Sequence, residues 1–379
     1  MEPISVLIVD DSALMRNLIR RMLESDDRIN VAGVAMNGQF ALRKTESLKP
    51  DVIILDLEMP ELDGIGFLEK RRANGWDVPV VILSAVAKKG AEVTMRALSL
   101  GASDFITKPS GGDADSNRET AEQLIGMVKG FGGAYRRSKG RSEDGRAVPA
   151  PRGRVTSPSP AAPASADRKR IRISDDWPRI TPRRGPAPPE IIAIGISTGG
   201  PNALRKVFAD ISPNLNVPIV VVQHMPAGFT AEFANSLDKI CPLEVKEAAD
   251  GDIAKSGRIL IAPGDRHVKV EKRRLASVVR VVDGENVNGH KPSAGVLFES
   301  VAEQYGNSGL GIIMTGMGKD GSREIGSIFA EGGITLAQDE ETSVVFGMPR
   351  VAIEHEYVTQ VVSLDDMAGA INELAGALD

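Results

Sequence analysis

The sequence holds one cysteine, four histidines and few aromatic side chains, 4% of 379 residues. The single thiol, Cys241, has no internal disulfide partner, which fits a reducing compartment and excludes a cysteine-rich zinc site. With four histidines in all, a structural metal centre has little to build on. Scarce aromatics leave the cores to Val, Ile, Leu, Ala and Met. No apolar run approaches the roughly 20 residues that span a bilayer. The N-terminus, MEPISVLIVDD, lacks a basic segment followed by an apolar one, so it does not read as a secretory signal. A soluble, cytoplasmic protein without membrane insertion is expected. Hydrophobic residues at 42% and charged residues at 26% exclude fibrous and wholly disordered classes. At about 100–200 residues per domain, the length predicts two domains.

Charge is unevenly spread. Between Arg136 and Arg184 there are 14 Lys+Arg against 5 Asp+Glu, although the whole chain carries a net charge of -5. Pro149 to Pro189 holds 10 of the 23 prolines. Proline removes backbone donors, and AVPAPRGRVTSPSPAAPASADRKR has no apolar period, so 132–187 reads as a disordered, partly polyproline-like linker. Its basic charge raises nucleic-acid binding as an alternative, but aromatics are not interleaved as base stacking requires. The expected domains are therefore 1–131 and 188–379.

Both blocks read as α/β. In the first, SVLIVD (5–10), INVAGVA (29–35), DVIILDL (51–57), VPVVILS (78–84) and SDFITK (103–108) are strand-like runs separated by helix patterns. This alternation predicts a five-stranded parallel, doubly wound sheet. In the second, EIIAIGI (190–196), VPIVVVQ (217–223), RILIAP (258–263) and LGIIMTG (310–316) repeat that grammar. HVKVEKRRLASVVRV (267–281) reads as an antiparallel hairpin, so the second sheet is expected to be mostly parallel. Such sheets bind ligands at the carboxyl ends of their strands.

Chemistry-bearing residues of the first block fall at those ends. Asp10 and Asp11 follow the first strand, Asp56 closes the third, Ser84 the fourth and Lys108 the fifth. Singly each has a plain explanation as a cap, turn or surface charge. Together they place three carboxylates, a hydroxyl and an ammonium on one edge. Oxygen ligands of this kind suit Mg²⁺, and the metal with Lys108 neutralises a phosphoryl group on a carboxylate. The Asp10-Asp11 pair, Asp56 with Met59-Pro60 and Asp63-Gly64, Ser84-Ala85, Phe105 and Lys108-Pro109 resemble a response-regulator receiver domain over about 3–128. The resemblance implies a flavodoxin-like fold and phosphorylation of Asp56 by a histidine kinase. It implies Mg²⁺ on Asp10, Asp11, Asp56 and the Glu58 carbonyl, with Ser84 and Lys108 on the phosphoryl oxygens. It also implies Phe105 as a switch aromatic and a cis Lys108–Pro109 bond.

In the second block, Gly195-Ile196-Ser197-Thr198-Gly199-Gly200 follows a strand and precedes Pro201 and a helix. That is the setting of a G-x-S-x-G nucleophile turn, with helix N–H groups available to an oxyanion. The spacing of a dinucleotide loop is absent. A nucleophilic serine needs a base and a group that orients it. His224 ends VPIVVVQH, and Asp320 lies in MTGMGKDG after another strand. His267, in APGDRH, ranks second as base, ahead of His290 and His355.

GISTGG, QHMP, APGDRH and TGMGKDG together resemble the catalytic domain of the chemotaxis protein-glutamate methylesterase family over about 188–375. The resemblance implies hydrolysis of glutamate γ-methyl esters, and deamidation of certain glutamines, on methyl-accepting chemoreceptors. It implies a Ser197, His224, Asp320 triad, an oxyanion hole from Thr198 with Met317 as second candidate, and no catalytic cofactor. An unphosphorylated receiver packed over the catalytic edge is implied as well. Two departures stand out: the linker is long, and Ala294-Gly295 stands where a bulkier residue and an acidic one are expected. The alternatives are a hydrolase acting on another signalling protein and a non-enzymatic DNA-binding regulator.

Overall fold

The computed structural model describes residues 2–85, 88–109, 114–140, 177 and 179–376. The first block runs β1 (Ile4–Val9), α1 (Ala13–Leu23), β2 (Ile29–Ala35), α2 (Gly38–Leu48), β3 (Val52–Asp56), α3 (Gly64–Ala73), β4 (Val80–Ser84), α4 (Lys88–Ser99), β5 (Asp104–Thr107) and α5 (Ala114–Ser138). Its five strands pair in parallel in the order β2-β1-β3-β4-β5. β3 and β4 are buried along their whole length, which is why they read as continuous apolar runs. Ser12 caps α1 by accepting from the Met15 N–H at 3.3 Å.

The second block begins with β6 (Ile191–Ile196), α6 (Gly200–Ala209), β7 (Ile219–Gln223) and α7 (Phe229–Asp238). Next come β8 (Glu244–Glu247), β9 (Ile253–Ala254), β10 (Arg258–Ile261), β11 (His267–Lys272), β12 (Ser277–Val282) and α8 (Ala294–Tyr305). It closes with β13 (Gly309–Ile313), α9 (Ile325–Glu331), β14 (Ile334–Gln338), α10 (Met348–Glu354), β15 (Gln360–Val362) and α11 (Met367–Leu374). A seven-stranded parallel sheet has the order β15-β14-β13-β6-β7-β10-β8. The expected hairpin is β11–β12, extended by β9 into a three-stranded antiparallel sheet. β6 lies between β13 and β7, where the strand order reverses, so the crevice at its carboxyl end is the expected ligand position.

Two expectations are corrected. Helix α5 continues to Ser138, past the boundary placed at 131. The extra turns are fixed by Arg136, whose guanidinium meets Asp51 at 2.6 Å and the Glu2 carbonyl at 2.6 Å. Gly132 allows the close approach, since a Cβ there would lie 2.6 Å from Ile4. Most of the basic, proline-rich segment, 141–176 and 178, lies outside the described residues. The Lys108–Pro109 bond is not cis: among the described residues the cis peptide is Lys291–Pro292. Trans is the lower-energy form even before proline.

The two blocks touch. Asn202 of α6 donates to the carbonyls of Ala102 at 3.1 Å and Ser103 at 2.8 Å. The rings of Phe105 and Phe229 stack with centroids 4.8 Å apart. Val344 packs against the glycine face of α5, where a Cβ on Gly130 would come within 3.1 Å of its side chain.

Candidate active site

Ser197 follows β6 directly and is 7% exposed. Its turn is pinned from both neighbouring strands. The Ser197 N–H donates to the Thr315 carbonyl at 3.0 Å, and the Gln223 amide donates to the Ser197 carbonyl at 3.0 Å. Gly199 takes φ 82°, a left-handed conformation that opens the turn into α6. Gly316 is also tied to size, because a Cβ there would sit 2.9 Å from the Ser197 Cβ.

His224 follows β7, and its backbone N–H donates to the Ile196 carbonyl at 3.1 Å. Its Nε2 lies 2.8 Å from Asp320 Oδ2. Asp320 is fully buried and well supplied with donors. Its Oδ1 accepts from Ser293 Oγ at 2.6 Å and Asn288 Nδ2 at 3.1 Å, and its Oδ2 accepts from the Ala294 N–H at 2.6 Å. Burial alone raises this carboxyl, but the hydrogen bond and charge of His224, with Ser293 and Asn288, hold it at about 2. An ionised Asp320 assigns the His224 proton to Nε2. Nδ1 is then the free lone pair, and it is buried without a hydrogen-bond partner. Thr198 Oγ1 and Gln223 Oε1 beside it are likewise unpaired. All three residues line one cavity.

Ser197, Thr198 and His224 line a cavity of 60 Å³ whose opposite wall is Asp104, Phe105, Gln123 and Met127 of the first block. Asp104 Oδ2 accepts from the Gly199 N–H at 2.6 Å. Burial pushes its carboxyl up to about 7, although the Gly199 and Phe105 N–H groups oppose the shift.

The remaining histidines separate clearly. His267 spends both ring nitrogens elsewhere, one 2.9 Å from the Glu285 carbonyl and the other accepting from the Ser293 N–H at 3.2 Å. His290 stacks on His224 with centroids 3.8 Å apart. His355 stacks on Trp177. Met317 turns its sulfur toward Gly126 of α5, where a Cβ would lie 3.1 Å away. Sequence reading passed over Asn288, Ser293 and Asp104; NGHKPS, between hairpin and helix, was the signal for the first two.

In the first block, Asp10, Asp11 and Asp56 offer oxygens within 4.8 Å of one another. Lys108 Nζ stands 2.7 Å from Asp56 and 3.3 Å from Asp10. Burial raises the Asp56 carboxyl, with Lys108 opposing. Ser84, at the end of β4, shares a 2.7 Å hydrogen bond with Thr94. Phe105 is 7% exposed, against Phe229. Glu58 is exposed, its N–H 3.3 Å from Asp56 Oδ1. The oxygen-only donor set and its strand-end position fit a magnesium ion with some waters retained.

Two family models match the chain: the response regulator receiver domain over residues 6–115 and CheB methylesterase over 192–371. A protein-glutamate methylesterase/protein-glutamine glutaminase of Treponema denticola is 55% identical over 98% of both chains. One of the same name from Treponema pallidum is 49% identical, covering 97% of this chain and 96% of its own. A third, from Koribacter versatilis, is 46% identical over 96% of this chain and 94% of its own. With a receiver sheet, a glycine-rich strand-to-helix turn and end-to-end likeness of this kind, the chain belongs to the protein-glutamate methylesterase/protein-glutamine glutaminase family.

Proposed function

We propose that this chain is a phosphorylation-regulated hydrolase that removes methyl esters from glutamate side chains, and deamidates certain glutamines, on chemoreceptors in chemotactic adaptation. The observation that carries this reading is a serine and a histidine lining one small cavity, the histidine held by a buried, multiply hydrogen-bonded aspartate. Ser197 Oγ attacks the ester carbonyl while His224 Nδ1 takes its proton. Asp320 holds the imidazole tautomer and stabilises the imidazolium. The Thr198 N–H, with Met317 as second candidate, stabilises the oxyanion. His224 returns the proton to the leaving methoxide, or to the amide nitrogen of a glutamine, releasing methanol or ammonia. Water then attacks the acyl-Ser197, with His224 again as base, and frees the glutamate.

The receiver regulates this site. Asp56 accepts a phosphoryl group from a chemotaxis histidine kinase. Asp10, Asp11, Asp56 and the Glu58 carbonyl would hold Mg²⁺, which would supply charge neutralisation when bound, and Ser84 and Lys108 would contact the phosphoryl oxygens. A cavity of 60 Å³ is too small for a helical protein substrate, so the receiver must withdraw before the receptor enters. A cytoplasmic location follows from these partners; among the described residues no helix is long and apolar enough to cross a membrane. A DNA-binding role leaves the serine, histidine and aspartate without a use.

The test is methanol release from methylated chemoreceptors. Ser197→Ala is expected to lose about 10⁶-fold in kcat with the fold retained, the scale seen when a triad nucleophile is removed. Near-normal release by that variant overturns the mechanism.

A further inference from the structure

The Ser–His–Asp arrangement gives no part to a second imidazole, yet His290 lies face to face with His224, ring centroids 3.8 Å apart and planes 14° from parallel. The placement is built. Val287 and His290 exchange backbone hydrogen bonds, each 3.0 Å, closing a tight loop. Asn288 at its tip, with φ 53°, reaches back to Asp320 at 3.1 Å. One loop therefore holds both the aspartate and the face of the histidine.

The His224 ring needs such a restraint. Its Nε2 is tied to Asp320, and its Nδ1 has no partner. A ring held at one atom is free to swing about that bond, taking Nδ1 out of line with the serine. A face-to-face neighbour removes this freedom. Aromatic contacts of this kind contribute about 0.5–1.5 kcal/mol beyond the area they bury.

We propose that His290 is a positioning residue for the catalytic base: stacked as a neutral imidazole, it fixes the plane of His224 and stabilises the imidazolium formed as Ser197 is deprotonated. This inference rests on the triad reading above. Burial, and the neighbouring His224, push the His290 imidazole down to about 4, with Asp320 opposing, so it is neutral at physiological pH. Two cations at this separation repel, and the stack holds one proton at a time. Asp320, ionised, lies beside the pair, and Glu324, whose carboxyl burial raises, lies beside Asp320. A neutral ring facing a cationic one is an attractive cation–π pair.

The experiment uses the full-length chain and methanol release from methylated receptors, with thermal unfolding of each variant to verify the fold. His290→Ala is expected to lower kcat about tenfold with KM unchanged, and His290→Phe to restore most of it. His290→Arg puts a permanent planar cation on the same face. It is expected to lower kcat and to move the acid limb of kcat/KM to lower pH, because a like charge disfavours protonation of His224. Wild-type kcat in His290→Ala, a His290→Phe variant no better than alanine, or an unmoved acid limb in His290→Arg overturns the proposal. His224→Ala separates the two levels. Activity in that variant defeats the triad reading; its inactivity beside unaffected His290 variants defeats the stacking inference alone.

Discussion

Asp104 of the receiver accepts a hydrogen bond from the backbone N–H of Gly199, two residues past Ser197, at 2.6 Å. A carboxyl group from one domain thus sits on the helix N-terminus that follows Ser197 in the other, where the helix dipole favours negative charge. Asn202, one turn on, donates to Ala102 and Ser103. The receiver therefore grips the same turn that positions the serine.

This contact titrates. Docked, Asp104 is pushed up to about 7 by burial; exposed by domain opening, it returns to the ordinary carboxylate value of about 3.9. The docked state binds more protons between these values, so opening becomes easier as pH rises through that window. The contribution of Asp104 to docking is full below about 4 and lost above about 7. Protection of the Gly199 amide against hydrogen exchange, corrected for the intrinsic rate, is expected to fall from pH 5 to pH 8. The limit is about tenfold per pH unit. Asp104→Asn should abolish this dependence, and an unchanged slope in that variant defeats the assignment.

Asp320→Asn tests the orienting carboxylate. The amide cannot accept from Ser293, Ala294, Asn288 and His224 together as the carboxylate does. A loss of about 10⁴ in kcat is expected, as in other triads whose histidine takes the wrong tautomer. KM should stay close to wild type. A loss below tenfold in steady-state turnover would remove Asp320 from the mechanism.

The phosphorylation chemistry is separable from the hydrolysis. Asp56→Asn should take up no label from a radiolabelled phosphodonor while keeping basal methanol release. Chelation of Mg²⁺ should likewise stop labelling of the wild-type chain and leave basal hydrolysis intact. Label retained in Asp56→Asn identifies a different acceptor.

Strand ends were the legible part of this sequence. Asp10, Asp56, Ser197 and His224 each interrupt or follow a buried apolar run, and a parallel sheet sends all such ends to one edge. Short edge strands were illegible for the same physical reason. β8, sequence EVKE, and β15, the three residues QVV, lie on sheet borders and are partly exposed, so neither makes an apolar run long enough to read as a strand. The end of α5 was obscured by Gly126, Gly130, Gly132 and Gly133, which lower helix propensity. Gly130 and Gly132 are there for close approach to Val344 and to Ile4. Asp104, and the stacking role of His290 that sequence reading weighed only as a rival base, were missed because their partners, Gly199 and His224, are distant in sequence, and no local pattern encodes either contact.

The last prediction concerns the covered site. Asn202, Asp104 and Phe105 hold the receiver over a cavity that admits no helix. Phosphorylation of Asp56 can shift the docked–open balance only by its differential free energy, about 1–3 kcal/mol in typical coupled systems, or roughly 5–150-fold. Removing the receiver should therefore raise activity on receptor esters by a factor within that range. The fragment must respect the structure: Trp177 stacks on His355 and the Arg183 N–H donates to the Ala330 carbonyl at 2.9 Å, so a start at 177 keeps contacts that a start at 188 discards. In the intact chain, Asn202→Ala removes two interdomain hydrogen bonds and, at about 1 kcal/mol per bond, should raise unphosphorylated activity by up to about 30-fold. It should also narrow the gap between phosphorylated and unphosphorylated rates. If fragment 177–379 and Asn202→Ala both match the intact unphosphorylated enzyme while phosphorylation still stimulates, coverage does not limit the rate, and the receiver must act by building the active form.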